Sequence, residues 1–394
     1  MSNRILFIAP TPFFSDRGCH VRILEEAKAL KSKGNSITIA TYHIGKDIKG
    51  FDIRRSLRVP WYRKREAGPS YHKIYLDILL FFKCISISRR QKYDIIHAHL
   101  HEGIFIAWLL KLFRIMRKAP VIADIQGSLV KEMMDHGYLK NRAIRKAFIL
   151  LEKAIIGMAD AVITSSGNAA SMIRKDFKKK AIPVPDGVDK GMFRPCKTID
   201  KKSKNKKTKQ REKQKTIVFL GLLNAYQGVD VLIKSIPHVI DKYPDVKFLI
   251  MGFPNVDKYR NMAEKLGVLQ YTKFTGKIDY NEAPEMLCKG DIAVSFKISK
   301  TEANGKIFNY IACGLPCVVS DIPVNREILG NSGMYAKPGD PADSARKILS
   351  LLKDEPRREK LAQDSLKLSK EYSWEKRAEQ VMSIYKDLKK KRGR

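Results

Sequence analysis

The stretch Glu302–Asp321, "EANGKIFNYIACGLPCVVSD", places a loop, a short helix, a turn and a strand in close succession. An apolar run follows Gly305 and Lys306, which predicts a helix that begins there and ends at Gly314. Pro316 and a second apolar run then predict a strand. Backbone N–H groups at a helix N-terminus are unpaired and carry partial positive charge. The sequence therefore predicts an anion-binding seat at Gly305 and Lys306.

The same alternation of short apolar runs and longer amphipathic segments continues along the chain in both directions. It is typical of parallel sheets whose strands are connected by helices. In the first half the predicted strands are RILFIA, SITIAT, DIIHAH, PVIADI, AVITSS and AIPVPDG, with helices near 19–33, 71–91, 103–116, 139–157 and 167–176. In the second half they are TIVFLG, VKFLIMG, QYTKFTG, DIAVSF and PCVVSD. This pattern predicts the α/β class, with two doubly wound, Rossmann-like domains that bind ligand in a cleft at the carboxyl ends of their strands.

A strongly basic segment separates the two halves. Residues 197–213, KTIDKKSKNKKTKQREK, have almost no apolar side chain and cannot form a core. We predict an N-terminal domain over 1–196, a linker over 197–215, a C-terminal domain over 216–372 and a last helix over 373–394. The linker is either a solvated tether or a contact for a membrane or polyanion.

The overall composition favours two domains and an anionic partner or surface. The 394 residues include 76 Lys and Arg against 41 Asp and Glu, a formal charge of +35. The six cysteines show no C-x-x-C spacing and the chain has no evident secretion signal, so we expect reduced, buried thiols and no zinc site. The two most apolar runs are short and contain charged residues, which predicts that the chain does not cross a membrane.

Eight segments occur in an order that resembles the GT-B glycosyltransferases, in particular glycosyltransferase family 4. They are FFSDRGCHVRILEEAKAL, YDIIHAHLHEG, ADAVITSS, PVPDGVD, FLGLLNAYQGVDVLIKS, FTGKIDYNEAPEMLCKGDIAVSF, GKIFNYIACGLPCVVSD and YSWEKRAEQ, and they run over nearly the whole chain. Members of this family transfer a sugar from a nucleotide donor with retention. The resemblance implies a GT-B fold in which the second domain binds the donor, the first domain binds the acceptor, and the last helix returns to the first domain.

On this resemblance the anion at Gly305 and Lys306 is the diphosphate of the donor. The donor-binding residues that it implies are Gly221, Gln227, Gly252, Gly276, Lys277, Glu302, Gly305, Lys306, Ile307 and Asn309. The family holds the ribose with the second glutamate of an E-x7-E pair. Here Thr301 and Asn309 stand at the two positions, and Glu302 is displaced by one. Asn309 can exchange hydrogen bonds with a ribose hydroxyl; the alternative is that it only caps or packs the helix.

A second departure concerns the positive charge that balances the leaving diphosphate. The family usually has Arg and Lys in a G-R-L-x-x-x-K-G loop. This chain has GLLNAYQG over residues 221–228, with Leu222 and Gln227 at those positions. The sequence also contains no Asp-x-Asp metal signature, so Lys306 and the helix N-terminus are the remaining positive groups. We therefore predict that Lys306 is catalytic, the alternative being an ordinary surface lysine.

The first domain is predicted to bind the acceptor. Gly18 follows the first strand, where the family uses glycine to bring the backbone close to a ligand, and Arg17 and Arg22 beside it could meet an anionic acceptor. The segment ADIQGS has Gln126 where the family often has histidine, which makes Asp124 and Gln126 candidates for acceptor recognition. The alternatives are exposed arginines and buried polar side chains with structural hydrogen bonds.

Three histidines alternate around the end of the strand DIIHAH. On a continuing strand His97, His99 and His101 would share one face, as metal-binding histidines do. No further ligand is evident in the sequence, and we predict no metal. The resemblance places His99 beside the transferred sugar as a catalytic residue, with His101 as its rival and as a candidate acceptor contact.

These features predict a retaining, metal-independent glycosyltransferase of cell-envelope glycan, glycolipid or polysaccharide synthesis. The resemblance implies a UDP- or GDP-sugar as co-substrate, no cofactor, and a lipid-linked or polysaccharide hydroxyl as acceptor. The basic charge predicts a cytoplasmic protein bound peripherally to the inner face of an anionic membrane. No nucleic-acid partner is predicted, because the basic runs lack interleaved aromatic residues. The alternative is a catalytically degenerate GT-B protein that serves as a sugar-nucleotide-binding or accessory subunit.

Overall fold

The computed structural model describes residues 2–15, 18–62, 72–135, 139, 141–196, 214–298 and 303–392. Arg17, Thr301, Glu302 and the basic segment 197–213, all singled out above, lie outside the described residues. The chain divides into two compact units. The first comprises the described residues up to Pro185 together with Ala303 and Trp374–Arg392, and the second comprises the described residues of 186–196, 214–298 and 304–373.

The first unit is built on a parallel sheet of seven described strands in the order β3-β2-β1-β4-β5-β6-β7. The strands are β1 (Arg4–Ala9), β2 (Ser36–Thr41), β3 (Asp52–Arg55), β4 (Ile95–His99), β5 (Val121–Ile125), β6 (Ala161–Thr164) and β7 (Ala181–Pro183). The helices are α1 (Gly18–Ser32), α2 (His72–Arg90), α3 (Leu100–Leu112), α4 (Leu129–Asp135), α5 (Arg142–Gly157) and α6 (Gly167–Phe177).

The interior strand β1 shows why this sheet carries helices on both sides. Its residues from Ile5 onward are fully buried, and successive side chains point to opposite faces. Leu6 and Ile8 belong to one core cluster, which also contains Leu80 of α2. Ile5 and Phe7 belong to a second cluster on the other face. A strand buried on both faces reads as a continuous apolar run, and this is the sequence pattern of RILFIA.

The second unit contains a parallel sheet of six described strands in the order β10-β9-β8-β11-β12-β13. The strands are β8 (Lys215–Leu220), β9 (Val246–Met251), β10 (Thr272–Gly276), β11 (Ile292–Ser295), β12 (Cys317–Ser320) and β13 (Gly333–Ala336). The helices are α7 (Val229–Ile240), α8 (Val256–Lys265), α9 (Ala283–Leu287), α10 (Lys306–Ala312), α11 (Pro323–Leu329), α12 (Pro341–Lys353) and α13 (Glu355–Ser369). Together with the first sheet, this confirms the predicted α/β class.

The last helix, α14 (Trp374–Arg392), lies in the first unit. Its apolar side contributes Trp374, Val381 and Tyr385 to the core cluster that contains Ile5 and Phe7. The amphipathic spacing of these residues therefore serves burial within the unit rather than an exposed apolar surface.

Some elements differ from the sequence-based expectations. Strands β3 and β13 and helix α4 are short and were not predicted. Residues 186–196 lie in the second unit rather than the first, because Val188 and Phe193 pack into an apolar cluster of that unit. The expectation of reduced cysteines is wrong for one pair, since a disulfide joins Cys196 and Cys288. Within the described part of the chain, no helix has the length and apolar character that a membrane span needs.

Candidate active site

In the second unit, two glycines and a lysine meet where strands β8 and β9 end. A Cβ atom on Gly221, whose φ is +151°, would lie 2.6 Å from the Nζ atom of Lys306. A Cβ atom on Gly252 would overlap the carbonyl oxygen of Gly221. A side chain on Gly221 would collide with the Lys306 side chain, and one on Gly252 would collide with the backbone of Gly221. Glycine at both positions therefore allows these three residues to lie so close together. The predicted residues Gly221, Gly252 and Lys306 are therefore brought together.

The ammonium group of Lys306 lies in a partly desolvated setting. It donates a hydrogen bond of 2.7 Å to Oε1 of Gln227 and sits 4.3 Å from the centroid of the Phe219 ring. Burial lowers the pKa of Lys306 well below its ordinary value, and the positive charge of Lys297 lowers it further. Lys306 is thus not an ordinary surface lysine, and Gln227, its predicted neighbour in the donor site, is in direct contact with it.

The sequence analysis missed Lys297. Its side chain is 1% exposed although it follows a strand end by only two residues. The signal that could have found it is a lysine directly after the apolar run DIAVSF, at the carboxyl end of a predicted parallel strand.

The remaining predicted donor residues take different positions in the second unit. Ile307 has its side chain in the apolar core, so only its backbone is available to a ligand. Asn309 is half-buried on α10. Gly305 lies beside a carboxylate, because a Cβ there would be 3.1 Å from Oδ2 of Asp186. The carbonyl of Gly276 accepts a hydrogen bond from the amide of Gly252, and Lys277 Nζ lies 5.5 Å from the ring centroid of Phe253.

In the first unit, a buried ion pair organises the end of the sheet. Arg22 donates through Nε and Nη2 to the two carboxylate oxygens of Asp124, at 2.8 and 2.9 Å, and through Nη1 to the carbonyl of Val184. Burial alone would raise the pKa of Asp124, but the Arg22 guanidinium and the hydrogen bond from His99 hold it well below its ordinary value. Arg22 therefore stabilises Asp124 rather than standing exposed for an acceptor.

His99 joins this pair because it lies directly opposite Asp124 in the register of β4 and β5. Its Nδ1 atom lies 3.2 Å from Oδ2 of Asp124. Burial lowers the pKa of His99 despite the nearby carboxylate, so the imidazole is neutral and carries its proton on Nδ1. Nε2 is then a hydrogen-bond acceptor, and it has no partner among the described groups. Gln126 is at the edge of the cluster, with Nε2 3.5 Å from the same carboxylate.

His97 lies behind His99 and links it to the last helix. The two imidazole rings stack with centroids 4.7 Å apart, and Nδ1 of His97 lies 2.7 Å from the hydroxyl of Tyr385. Nε2 of His97 lies 3.7 Å from Oε1 of Glu26. The ring of His99 is thereby held from both sides, by Asp124 along the sheet and by His97 beneath it.

His101 is separated from the other two histidines, because β4 ends at His99 and His101 belongs to α3. Its Nε2 atom lies 3.2 Å from Oε1 of Glu152, whose carboxylate also accepts hydrogen bonds from the amides of Leu129 and Val130. The shared face expected for a continuing strand is therefore not formed. Gly18 is exposed as the first residue of α1, and a Cβ there would contact no described atom.

Among the residues that the structure describes, two groups of side chains bring possible metal-ligand atoms close together. One consists of Glu26, His97, His99 and Asp124, and the other of Cys196, Cys288 and Cys313. In the first group both oxygens of Asp124 already accept hydrogen bonds from Arg22. In the second, two of the three sulfurs are joined in the disulfide. A metal ion would have to displace the contacts of Asp124 with Arg22 in the first group, or break the bond between Cys196 and Cys288 in the second.

Two family models match the sequence and together cover most of its length. Residues 17–191 match Glycosyltransferase Family 4, and residues 200–368 match Glycosyl transferases group 1. The chain belongs to glycosyltransferase family 4. The resemblance inferred from the eight ordered segments is thus confirmed, and the protein is a glycosyltransferase.

Characterised relatives of this family 4 member match it over nearly their whole length. It is 27% identical to a D-inositol 3-phosphate glycosyltransferase of Corynebacterium glutamicum, with 94% of this chain and 91% of that one covered. It is 21% identical to a phosphatidyl-myo-inositol mannosyltransferase of Mycobacterium tuberculosis, with 98% and 97% covered. These matches place it among glycosyltransferases of glycan or glycolipid synthesis.

Solved structures confirm the GT-B fold of this family 4 glycosyltransferase. Sucrose-phosphate synthase from Thermosynechococcus elongatus superimposes with a TM-score of 0.82 at 16% identity, covering 98% of this chain and 99% of that one. Anabaena HepE, solved with UDP and glucose, superimposes with a TM-score of 0.76 at 13% identity, covering 98% and 100%. At sequence identities of 16% and 13%, the structural similarity shows a shared fold and no more.

Proposed function

We propose that the protein transfers a sugar from a nucleoside diphosphate sugar to an acceptor hydroxyl, with retention of configuration and without a metal ion. The observation that carries this proposal is the meeting of Gly221, Gly252 and Lys306 at the carboxyl ends of β8 and β9. Ligands of doubly wound sheets bind at this edge. Two glycines that expose backbone beside a desolvated lysine suit an anionic group such as a diphosphate.

The HepE complexes support the choice of donor, because that structural neighbour was solved with UDP and with UDP-glucose. In the proposed site, Lys306 would exchange its hydrogen bond to Gln227 for one to a phosphate oxygen. The exchange replaces a neutral partner by an anion, which strengthens the bond. Asn309, on α10, is the residue that we propose for the ribose.

The chemistry breaks the bond between the anomeric carbon and the diphosphate and forms a bond from the acceptor oxygen to the same carbon. The acceptor proton passes to the leaving diphosphate, so no protein base is required. The contribution of the chain is positioning and charge stabilisation. We propose that the free Nε2 lone pair of His99 accepts a hydrogen bond from a hydroxyl of the transferred sugar and fixes its orientation.

The acceptor is proposed from the relatives. One is named for D-inositol 3-phosphate and another for phosphatidyl-myo-inositol, so both act on phosphorylated inositol compounds. A basic chain favours an acceptor of this anionic kind. We propose a glycolipid or cell-envelope glycan acceptor, with Gly18, Asp124, Gln126 and His101 as the described residues that contact it.

We further propose that the protein is cytoplasmic and binds the inner face of an anionic membrane. The described support is an apolar surface on the outer side of α2 and α3, which pack together through Phe81 and Phe113. Its exposed apolar side chains, which we call the α2–α3 face, are Ile74, Ile78, Phe82, Phe105, Leu112 and Phe113. Exposed apolar residues in such a group are typical of an interaction surface.

Basic residues accompany the α2–α3 face. Arg89 and Arg90 end α2, and Arg114, Arg117 and Lys118 follow α3, all of them exposed. Each Lys or Arg near an anionic membrane contributes about 1 kcal/mol, so several together would hold the protein peripherally. By contrast, α14 adds no apolar surface, because its apolar side is buried.

A second candidate function is a degenerate GT-B subunit that binds a sugar nucleotide without turnover. It is favoured by Leu222, Gln227 and Asn309, which stand where the family usually has Arg, Lys and Glu. Purified protein incubated with a panel of radiolabelled UDP- and GDP-sugars distinguishes the two. Binding accompanied by donor hydrolysis or transfer supports the enzyme. Binding without turnover supports the degenerate subunit, and the anomeric configuration of a product, measured by NMR, tests retention.

A further inference from the structure

The loop Gly221–Gly228 is contacted by two segments that each carry a lysine. The first is the segment after β11. The amide of Ile298 donates a hydrogen bond of 2.9 Å to the carbonyl of Tyr226, and a Cβ on Gly228 would overlap the carbonyl oxygen of Phe296. Lys297 lies between these two contacts. Its backbone is therefore fixed against the loop that has lost the family's Arg and Lys.

The second segment is the start of α10. Lys306 reaches the same loop, with Nζ 2.7 Å from Oε1 of Gln227. The segment around Lys297 contacts Tyr226 and Gly228, and Lys306 contacts Gln227 between them. Both lysines therefore belong to segments that touch the same three consecutive loop residues.

Both lysines are withdrawn from water. Lys297 is 1% exposed, and Lys306 is half-buried beside the ring of Phe219. The two charges interact, since the charge of Lys297 contributes to the depressed pKa of Lys306. A pair of like charges in a medium of low dielectric constant raises the free energy of the folded protein. Such a pair is stabilised when an anion binds next to both groups, and this is what a diphosphate site provides.

We propose that Lys297 is a second diphosphate-binding cation, which acts with Lys306 and replaces the charge that Leu222 and Gln227 no longer supply. The proposal rests on the proposed donor chemistry but adds a residue and a role that the family motif does not contain. In the family, the positive charge comes from the loop after the first strand of the second domain. Here the same loop is neutral at those positions, and the charge comes from the end of β11.

Isothermal titration of UDP, GDP, UMP and GMP tests this proposal. Lys297→Met keeps the length and apolar stem of the side chain and removes the charge, whereas Lys297→Arg keeps the charge. Loss of one charge-assisted contact should weaken diphosphate binding by roughly tenfold to a hundredfold. Monophosphate binding should weaken less, and Lys297→Arg should bind the diphosphate better than Lys297→Met. Lys234→Met is the matched control, because Lys234 is exposed on α7.

Nuclear magnetic resonance of lysine side chains gives a second measurement on the unmodified chain. With Nζ signals assigned through Lys297→Arg and Lys306→Arg, saturation with the nucleoside diphosphate should raise the pKa of both lysines, because a bound anion favours their charged forms. This measurement remains informative if Lys297→Met does not fold.

The outcomes separate this inference from the function on which it rests. If the wild type binds UDP or GDP while Lys297→Met binds it equally well, the role of Lys297 is refuted and the donor site stands. An unchanged Lys297 signal on nucleotide saturation refutes it in the same way. If the wild type binds no nucleoside diphosphate or its sugar, the proposed function fails and the inference fails with it.

Discussion

Replacing Lys306 is the most informative single change. In the proposed reaction the glycosidic bond to the diphosphate breaks in the transition state, so negative charge on the leaving group grows there and a contact from Lys306 would matter more than in the ground state. Two unit charges 4 Å apart interact by about 4 kcal/mol at an effective dielectric constant of 20. Loss of one such electrostatic contact is usually worth about 3 kcal/mol, which agrees with this figure. Lys306→Ala should therefore reduce kcat about a hundredfold, with a much smaller effect on donor affinity.

Steady-state kinetics with the preferred nucleotide sugar measures this effect, and circular dichroism checks folding. Lys306→Met serves as the matched variant, because it keeps the length and aliphatic stem of the side chain but not its charge, and it should show nearly the same loss of kcat. The dependence of activity on pH gives an independent test of whether the charge of Lys306 is needed. Since the pKa of Lys306 is depressed, activity should fall as pH rises through that value, whereas Lys306→Arg should remain charged over the same range. A Lys306→Ala enzyme with near-normal kcat would show that Lys306 is the wrong phosphate contact.

Asn309→Ala should chiefly raise the donor KM, because the ribose contact is made in both ground and transition states; a lowered kcat at unchanged KM would contradict this. Truncation after Tyr372 removes α14 and its buried Trp374, Val381 and Tyr385, so melting temperature or solubility should drop. An unchanged melting temperature and activity would refute that docking role. The protein should sediment with anionic vesicles at low salt and be released as salt rises. Ile78→Ser with Phe82→Ser should weaken this binding, whereas Leu266→Ser, exposed in the second unit, should not; salt-independent or absent binding would contradict the proposed surface.

The sequence was sufficient to predict the fold class, because each buried strand leaves a local signal. RILFIA and PCVVSD are continuous apolar runs, as expected for strands covered on both faces. Short edge elements such as β3, DIRR, carry no such run and were missed. The end of β4 at His99, which separates His101 from His97, also depends on where the chain turns rather than on composition.

The sequence predicted a residue of the candidate site only where a single sequence motif contains that residue. Gly221 and Lys306 came from the loop and helix patterns of the family. Lys297 did not, because its proposed role depends on the contact between the segment after β11 and the loop at Tyr226, which is distant in sequence. Arg22 was expected as a possible exposed acceptor contact, whereas tertiary packing pairs it with Asp124. Burial of charged groups and disulfide pairing between distant cysteines are properties of the folded chain that spacing alone does not determine.

The proposed function requires that this chain move a sugar from a nucleoside diphosphate donor to an acceptor. The most direct measurement is transfer of radiolabel from UDP- and GDP-sugars by purified protein, with a lipid extract supplied as the acceptor source and release of nucleoside diphosphate followed in parallel. Label from at least one donor should enter an extractable product, with one nucleoside diphosphate released for each sugar transferred. A folded protein that releases no nucleoside diphosphate from any donor in the panel and forms no labelled product would contradict it.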